Sequence, residues 1–198
     1  MENELQKSFY KNLEILSIIG SIAALIMKAL QFQFVAPMLI VFVGTLAIVY
    51  AIIGNEILKN KKSDTENKPT LIFSGVTLSI GLIGISFKLM YWPNAMNIIR
   101  IANVVIPISI CICLWLKMNT NDSVKGNYNK LLMRAFIIYP VVLILYFTPM
   151  STLIAFQDRG DSEMIRLKTQ SYEHPENEDY RRQLNHYWHL KNLNDSIK

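Results

Sequence analysis

Phe87-Lys88-Leu89-Met90-Tyr91-Trp92-Pro93-Asn94-Ala95 joins two long apolar segments through a lysine, an aromatic pair and a proline. A weaker copy stands 60 residues earlier, where Lys28 leads through Phe32 and Phe34 to Pro37, the prolines overlaying only if the first copy holds four extra residues. Outward from these corners the charges vanish. Lys28 and Glu56 enclose 27 uncharged residues, and Arg134 and Asp158 enclose 23. Thr70 to Phe87 adds 18 and Ile101 to Leu116 adds 16. A helix needs about 20 apolar residues to cross a hydrocarbon core of about 30 Å. Hydrophobic residues make up 52% of the 198 and charged ones 18%, a skewed balance for a soluble domain. The sequence therefore predicts an all-α integral membrane protein.

Five transmembrane helices fit the runs, over residues 13–31, 35–53, 70–90, 95–116 and 135–156. The links between the first and second and between the third and fourth are so short that each pair must form an antiparallel hairpin. The chain thus reads as two tandem hairpins plus one span. Residues 13–58 and 70–117 form a candidate repeat, in which Lys28 overlays Lys88 and Phe32 overlays Trp92. Small residues recur on both approaches, Gly20, Ser21, Ala23 and Ala24 in one and Gly81, Gly84 and Ser86 in the other, and such residues let membrane helices pack closely. Pro140 and Pro149 lie in the last run and should kink or end that helix, which membrane helices tolerate. A four-span arrangement would leave the 22 uncharged residues from Ala135 to Phe156 on the membrane surface.

The net charge of +5 reports topology, not nucleic-acid binding. Lys59, Lys61, Lys62 and Lys68 fall in one polar link, Lys117, Lys125, Lys130 and Arg134 bound or fill another, and Lys7 and Lys11 precede the first span. The positive-inside rule then puts the amino terminus and both links in the cytoplasm. The corners and the carboxyl tail fall on the opposite side. The expected setting is a bacterial inner (cytoplasmic) membrane with a periplasmic tail. A cleaved signal peptide is the alternative for the amino terminus, but Glu4 and Glu14 intrude and no small-x-small site follows.

Residues 157–198 form a polar tail whose predicted helix covers residues 175–192. Pro175 suits a first helical position, and Glu176, Glu178 and Asp179 lie early while His189 and Lys191 lie late, in keeping with the helix dipole. Tyr180, Leu184, Tyr187 or Trp188, and Lys191 make a narrow stripe, expected to dock on the membrane surface or a partner.

The candidate binding residues are Lys28, Lys88, Arg100, Tyr91, Trp92 and Pro93. In the structural reading, the lysines snorkel from span ends, aromatic residues sit among headgroups and prolines end helices. In the functional reading, a cation inside a span marks a site for an anionic headgroup or a partner carboxylate. Cys111 and Cys113 are near neighbours on one helix and offer no disulfide framework. His186 and His189 stand three apart but lack a third metal ligand of fixed spacing. No phosphate-cradling glycine loop or catalytic elbow is present, so neither a cofactor nor an enzyme is expected.

The corner Phe87-Lys88-Leu89-Met90-Tyr91-Trp92-Pro93-Asn94-Ala95 resembles the Phe-Lys-Ile-Met-His-Trp-Pro-Gly-Ala signature of the GldL family, small membrane proteins of Bacteroidetes gliding motility and type IX secretion. The likeness is close over about ten residues, and the family's corner also joins two membrane helices. Here Tyr91 replaces the histidine and Asn94 the glycine, five spans replace two, and the long cytoplasmic tail is missing. The family implies an inner-membrane motor driven by proton motive force. Such a motor wants a carboxylate buried in a span, whereas Glu14 and Glu56 read as cytoplasmic span ends. The corner geometry therefore carries over and the motor does not.

These features make a non-enzymatic structural or assembly subunit of an envelope complex the first functional expectation. It would act through a lipid bilayer and a protein partner or homo-oligomer. A small transporter or channel is the second, with Asn103, Ser109, Thr45, Thr77 and Ser79 as the candidate polar lining. An accessory or sensor subunit with a ligand-binding tail is the third.

Overall fold

The computed structural model describes residues 2–30, 35–56, 68–92, 94–119, 122–158 and 160–196. Pro93, Phe32, Phe34, Lys59, Lys61, Lys62 and Arg159 lie outside the described residues. Within them the fold is all-helical, with no strand. The order is α1 (Glu2–Ala29), α2 (Val35–Glu56), α3 (Lys68–Leu89), α4 (Ala95–Asn119), α5 (Asp122–Phe147), α6 (Met150–Gln157), α7 (Ser162–Glu173) and α8 (Glu178–Ser196). The first five are long and apolar enough to cross a membrane.

Each neighbour in the order α1 to α5 packs on the next, and α3 also touches α5. α3 is the most buried span and α1 the least. The core runs through Leu39, Val43, Leu78, Ile99, Ile106, Ile138 and Val142. Close approach depends on glycine where α1 meets α2. A Cβ on Gly20 would lie 2.3 Å from Phe42 Cδ1, so only a residue without one lets the ring in. The corner face gathers the ends of α1, α3 and α5 with the starts of α2 and α4; the opposite end is the link face.

Two boundaries differ from the sequence expectation. The fifth span is Lys125–Phe147, about ten residues earlier than the uncharged run at 135–156. Its helix already begins at Asp122, so the polar stretch expected as a long link is mostly extra turns of α5. The span ends early because Pro149 has no N–H to donate and instead starts the separate helix α6. Pro107 and Pro140 stay inside unbroken helices.

The tail holds one more helix than expected. α7 precedes α8 and packs on both α6 and α8. Asp161 caps α7 by accepting the Met164 N–H at 2.9 Å. The stripe on α8 turns inward toward the α7 cap, with Tyr187 Oη and Lys191 Nζ donating to Asp161 at 2.8 and 2.6 Å. Two residues of the expected stripe, Tyr187 and Lys191, thus meet this chain's own α7 cap.

Candidate functional site

The corner is a helix stop built from backbone bonds. α3 ends with the Tyr91 N–H on the Lys88 carbonyl at 3.3 Å and the Trp92 N–H on the Phe87 carbonyl at 3.0 Å. These are the paired bonds of a Schellman cap, which needs a left-handed residue between them. Tyr91 takes that place at φ 56. The two residues joined by the outer bond also touch, the Phe87 and Trp92 rings meeting edge to face at 4.7 Å. Asn94, left-handed at φ 61, starts α4 by accepting the Asn97 and Ile98 N–H groups on its carbonyl. A bulky residue at positive φ costs about 1–2 kcal/mol, so Tyr91 needs compensation. Its hydroxyl donates to the Leu153 carbonyl at 3.0 Å. Burial, assisted by Asp158, raises the Tyr91 phenol above its ordinary pKa, keeping it a neutral donor.

Both corner lysines cap the ends of other helices. Lys88 is 2% exposed. Its ammonium donates to the Leu145 carbonyl and, at 2.8 Å, to the Thr148 carbonyl, with Met96 Sδ at 3.7 Å. The Leu145 carbonyl would ordinarily accept from the residue four positions on, but that residue is Pro149. Lys28 repeats the device on α3. It donates to the Leu89 carbonyl, and the residue four positions beyond Leu89 is Pro93. So α1 caps α3 and α3 caps α5, each with a cation at a negative helix end. The remaining cation, Arg100, lies exposed on α4 beside Asn97. Trp92 is 38% exposed, as befits a headgroup-level aromatic. The structure thus does not bring Lys28, Lys88 and Arg100 together around one ligand; the two lysines are committed to backbone.

The tail is latched over the corner. Lys168 pairs with both Asp158 oxygens at 2.7 and 2.8 Å and lies 5.9 Å from the Tyr91 ring centroid. Lys28 approaches the same ring at 5.6 Å, and Trp188 lies 6.0 Å from Lys168. Gln157 adds a long contact to the Leu89 carbonyl at 3.4 Å. Gly160, at φ 92, makes the turn into α7 that residues with a Cβ resist.

A second polar contact lies inside the bundle and was not legible in the sequence. Arg134 of α5 grips Glu14 of α1 through two hydrogen bonds of 2.7 Å. Their side chains are only 17% and 14% exposed. The Arg134 guanidinium also lies 5.3 Å from the Tyr50 ring of α2. Glu14 is 14 residues from Lys28, and Arg134 is 14 from Thr148. At 1.5 Å per residue both lie about 21 Å from the corner caps, Glu14 inside the candidate span Ser8–Lys28 and Arg134 inside Lys125–Phe147. This corrects the reading of Glu14 as a mere span end: a carboxylate does lie within a span, held by a partner 120 residues away.

The candidate polar lining does not converge. Thr45 and Thr77 bond back to their own helices at Val41 and Phe73. Ser79 bridges to Ala47 of α2 at 2.7 Å, and Ser109 of α4 to Ser74 of α3 at 2.9 Å. Asn103 Oδ1 is buried without a hydrogen-bond partner. Ser74 also contacts Cys113 Sγ at 3.2 Å beside a small cavity lined in part by Leu131, Leu132 and Ala135 of α5. Among the described residues no group of three or more metal-ligating side chains gathers. Chemically, the arrangement joins helices and presents a tail. No protein family, curated protein or solved structure matches this chain.

Proposed function

We infer that this chain is a non-enzymatic structural or assembly subunit of a bacterial envelope complex. One observation carries the reading: four charges inside the spans, Glu14, Lys28, Lys88 and Arg134, hold helices to one another, while a helical hairpin, α7 and α8, is latched over the corner face. Such a frame suits presenting a fixed surface to a partner. It offers no continuous polar lining among the five residues that transport would call upon. The setting we propose is an inner membrane with the amino terminus cytoplasmic and α6 to α8 periplasmic, supported by the lysines of the link face. The shared task of Lys28 and Lys88 supports a duplicated hairpin, and the GldL-like spelling of the corner supports the cell type.

The test is photo-cross-linking from exposed tail positions in native membranes, followed by mild detergent extraction. An assembly subunit gives a discrete adduct, with another protein or a second copy, that survives purification. A monodisperse monomer without adducts contradicts the reading. A tail adduct that forms only with a small diffusible molecule favours the sensor alternative.

A further inference from the structure

We propose that α5 is a clasp, closed by one charge from each hairpin, over a hydroxyl–thiol cluster between α3 and α4. Independently of the assembly reading, three observations converge on it. α5 belongs to neither hairpin, yet it takes Glu14 from the first through Arg134 and Lys88 from the second through the Leu145 and Thr148 carbonyls. The two contacts are 11 residues apart on one helix, about 16 Å, so they fix both the height and the tilt of α5. Between them the chain needs no further charge, because Ile138 and Val142 pack as ordinary core.

The surface that α5 covers carries a polar chain of small side chains, the kind that membrane helix interfaces favour. Ser74, Ser109 and Cys113 form a connected chain, with Ser109 donating to Ser74 at 2.9 Å and Ser74 touching Cys113 Sγ at 3.2 Å. Leu131, Leu132 and Ala135 of α5 line the small cavity beside it. Cys113 is 2% exposed, whereas Cys111, two residues away, faces outward. With α5 undocked, Glu14 and Lys88 lose their partners together and the hydroxyl–thiol chain opens to its surroundings. The device is a two-pinned door whose opening a native thiol reports.

The experiment labels Cys113 with N-ethylmaleimide in the full chain carrying Cys111→Ser, in detergent micelles, with adducts counted by mass spectrometry. Glu14→Gln and Lys88→Met, made separately, each remove one pin. Each should speed Cys113 labelling roughly ten- to a hundredfold, the population change expected from one lost charge-assisted contact. Arg100→Gln, an exposed cation on α4 outside the clasp, should leave the rate unchanged. The exchanged pair Glu14→Arg with Arg134→Glu should return the rate toward that of the parent. Unchanged labelling in both single variants overturns the clasp, as does an equal rise in Arg100→Gln. Should a single variant fail to accumulate, the exchanged pair decides: rapid labelling of a folded, fully helical exchanged protein overturns the proposal.

Discussion

Replacing Lys88 by methionine tests the capping logic most severely when combined with a change at Pro149. Methionine keeps the length and apolar stem of lysine but leaves the Leu145 and Thr148 carbonyls without their donor. Each hydrogen bond to a charged group contributes about 1.5–3 kcal/mol, so the gross loss is about 3–6 kcal/mol. Relief from holding a cation inside the membrane returns up to about 2.5–3.5 kcal/mol. A net loss of about 1–3 kcal/mol is expected. Pro149→Ala supplies the N–H that the Leu145 carbonyl lacks. Beside an intact Lys88 that N–H is redundant, but in Lys88→Met it restores about 1 kcal/mol. The double variant should therefore lie above the sum of the singles by that amount. Reversible unfolding against SDS mole fraction, followed by helicity, measures all four corners of the cycle. Additivity within about 0.3–0.5 kcal/mol would mean the two residues are uncoupled and would refute the argument.

Three further outcomes follow from the same geometry. Glu14→Leu alone strands the Arg134 guanidinium and should cost about 3–5 kcal/mol, whereas Glu14→Leu with Arg134→Leu should be near neutral or stabilising by the same unfolding assay. Gly20→Ala forces a methyl into the Phe42 ring and should cost about 1–3 kcal/mol, while Gly44→Ala, with nothing within 4 Å of the added Cβ, should not destabilise. In the tail, desolvation pushes the Asp161 carboxyl up, but bonds from Lys191, the Met164 N–H and Tyr187 outweigh it and leave the pKa below the ordinary 3.8. A depressed carboxyl stabilises the fold above its unfolded value and loses that contribution as pH falls through the folded one. Trp188 fluorescence, read in a chain with Trp92 and Trp115 replaced by Phe, should thus hold steady above pH 5 and shift only below the ordinary carboxyl range, and Asp161→Asn should abolish that acid step.

The spans were legible because hydrocarbon forbids unpaired charge, so uncharged runs mark helices. The fifth was displaced for the same reason in reverse. Arg134 looks like a boundary when counted alone, and only Glu14, 120 residues away, shows why α5 tolerates it. Pro149 was legible as a breaker, yet the run of apolar letters passes straight through it into α6. The cap partners were half written in the chain. Leu89 and Leu145 each stand four residues before a proline, which marks a carbonyl in need of a donor, but nothing local names the lysine about 60 residues upstream that supplies it. α7 was missed because Ser162–Glu173 is short and polar on average; its readable signals were the Asp161 cap and the apolar pair Met164 and Leu167, three apart on one face.

The corner cation is committed to a helix end and not held open for a ligand. Solid-state NMR on the protein in lipid bilayers, with lysine side-chain nitrogen and leucine carbonyl carbon labelled, measures this directly. A committed lysine gives a dipolar contact between Lys88 Nζ and the Leu145 carbonyl carbon at roughly 4 Å, as a hydrogen bond of ordinary length requires. A Lys88 ammonium that exchanges freely with water and shows no carbonyl contact would contradict that commitment.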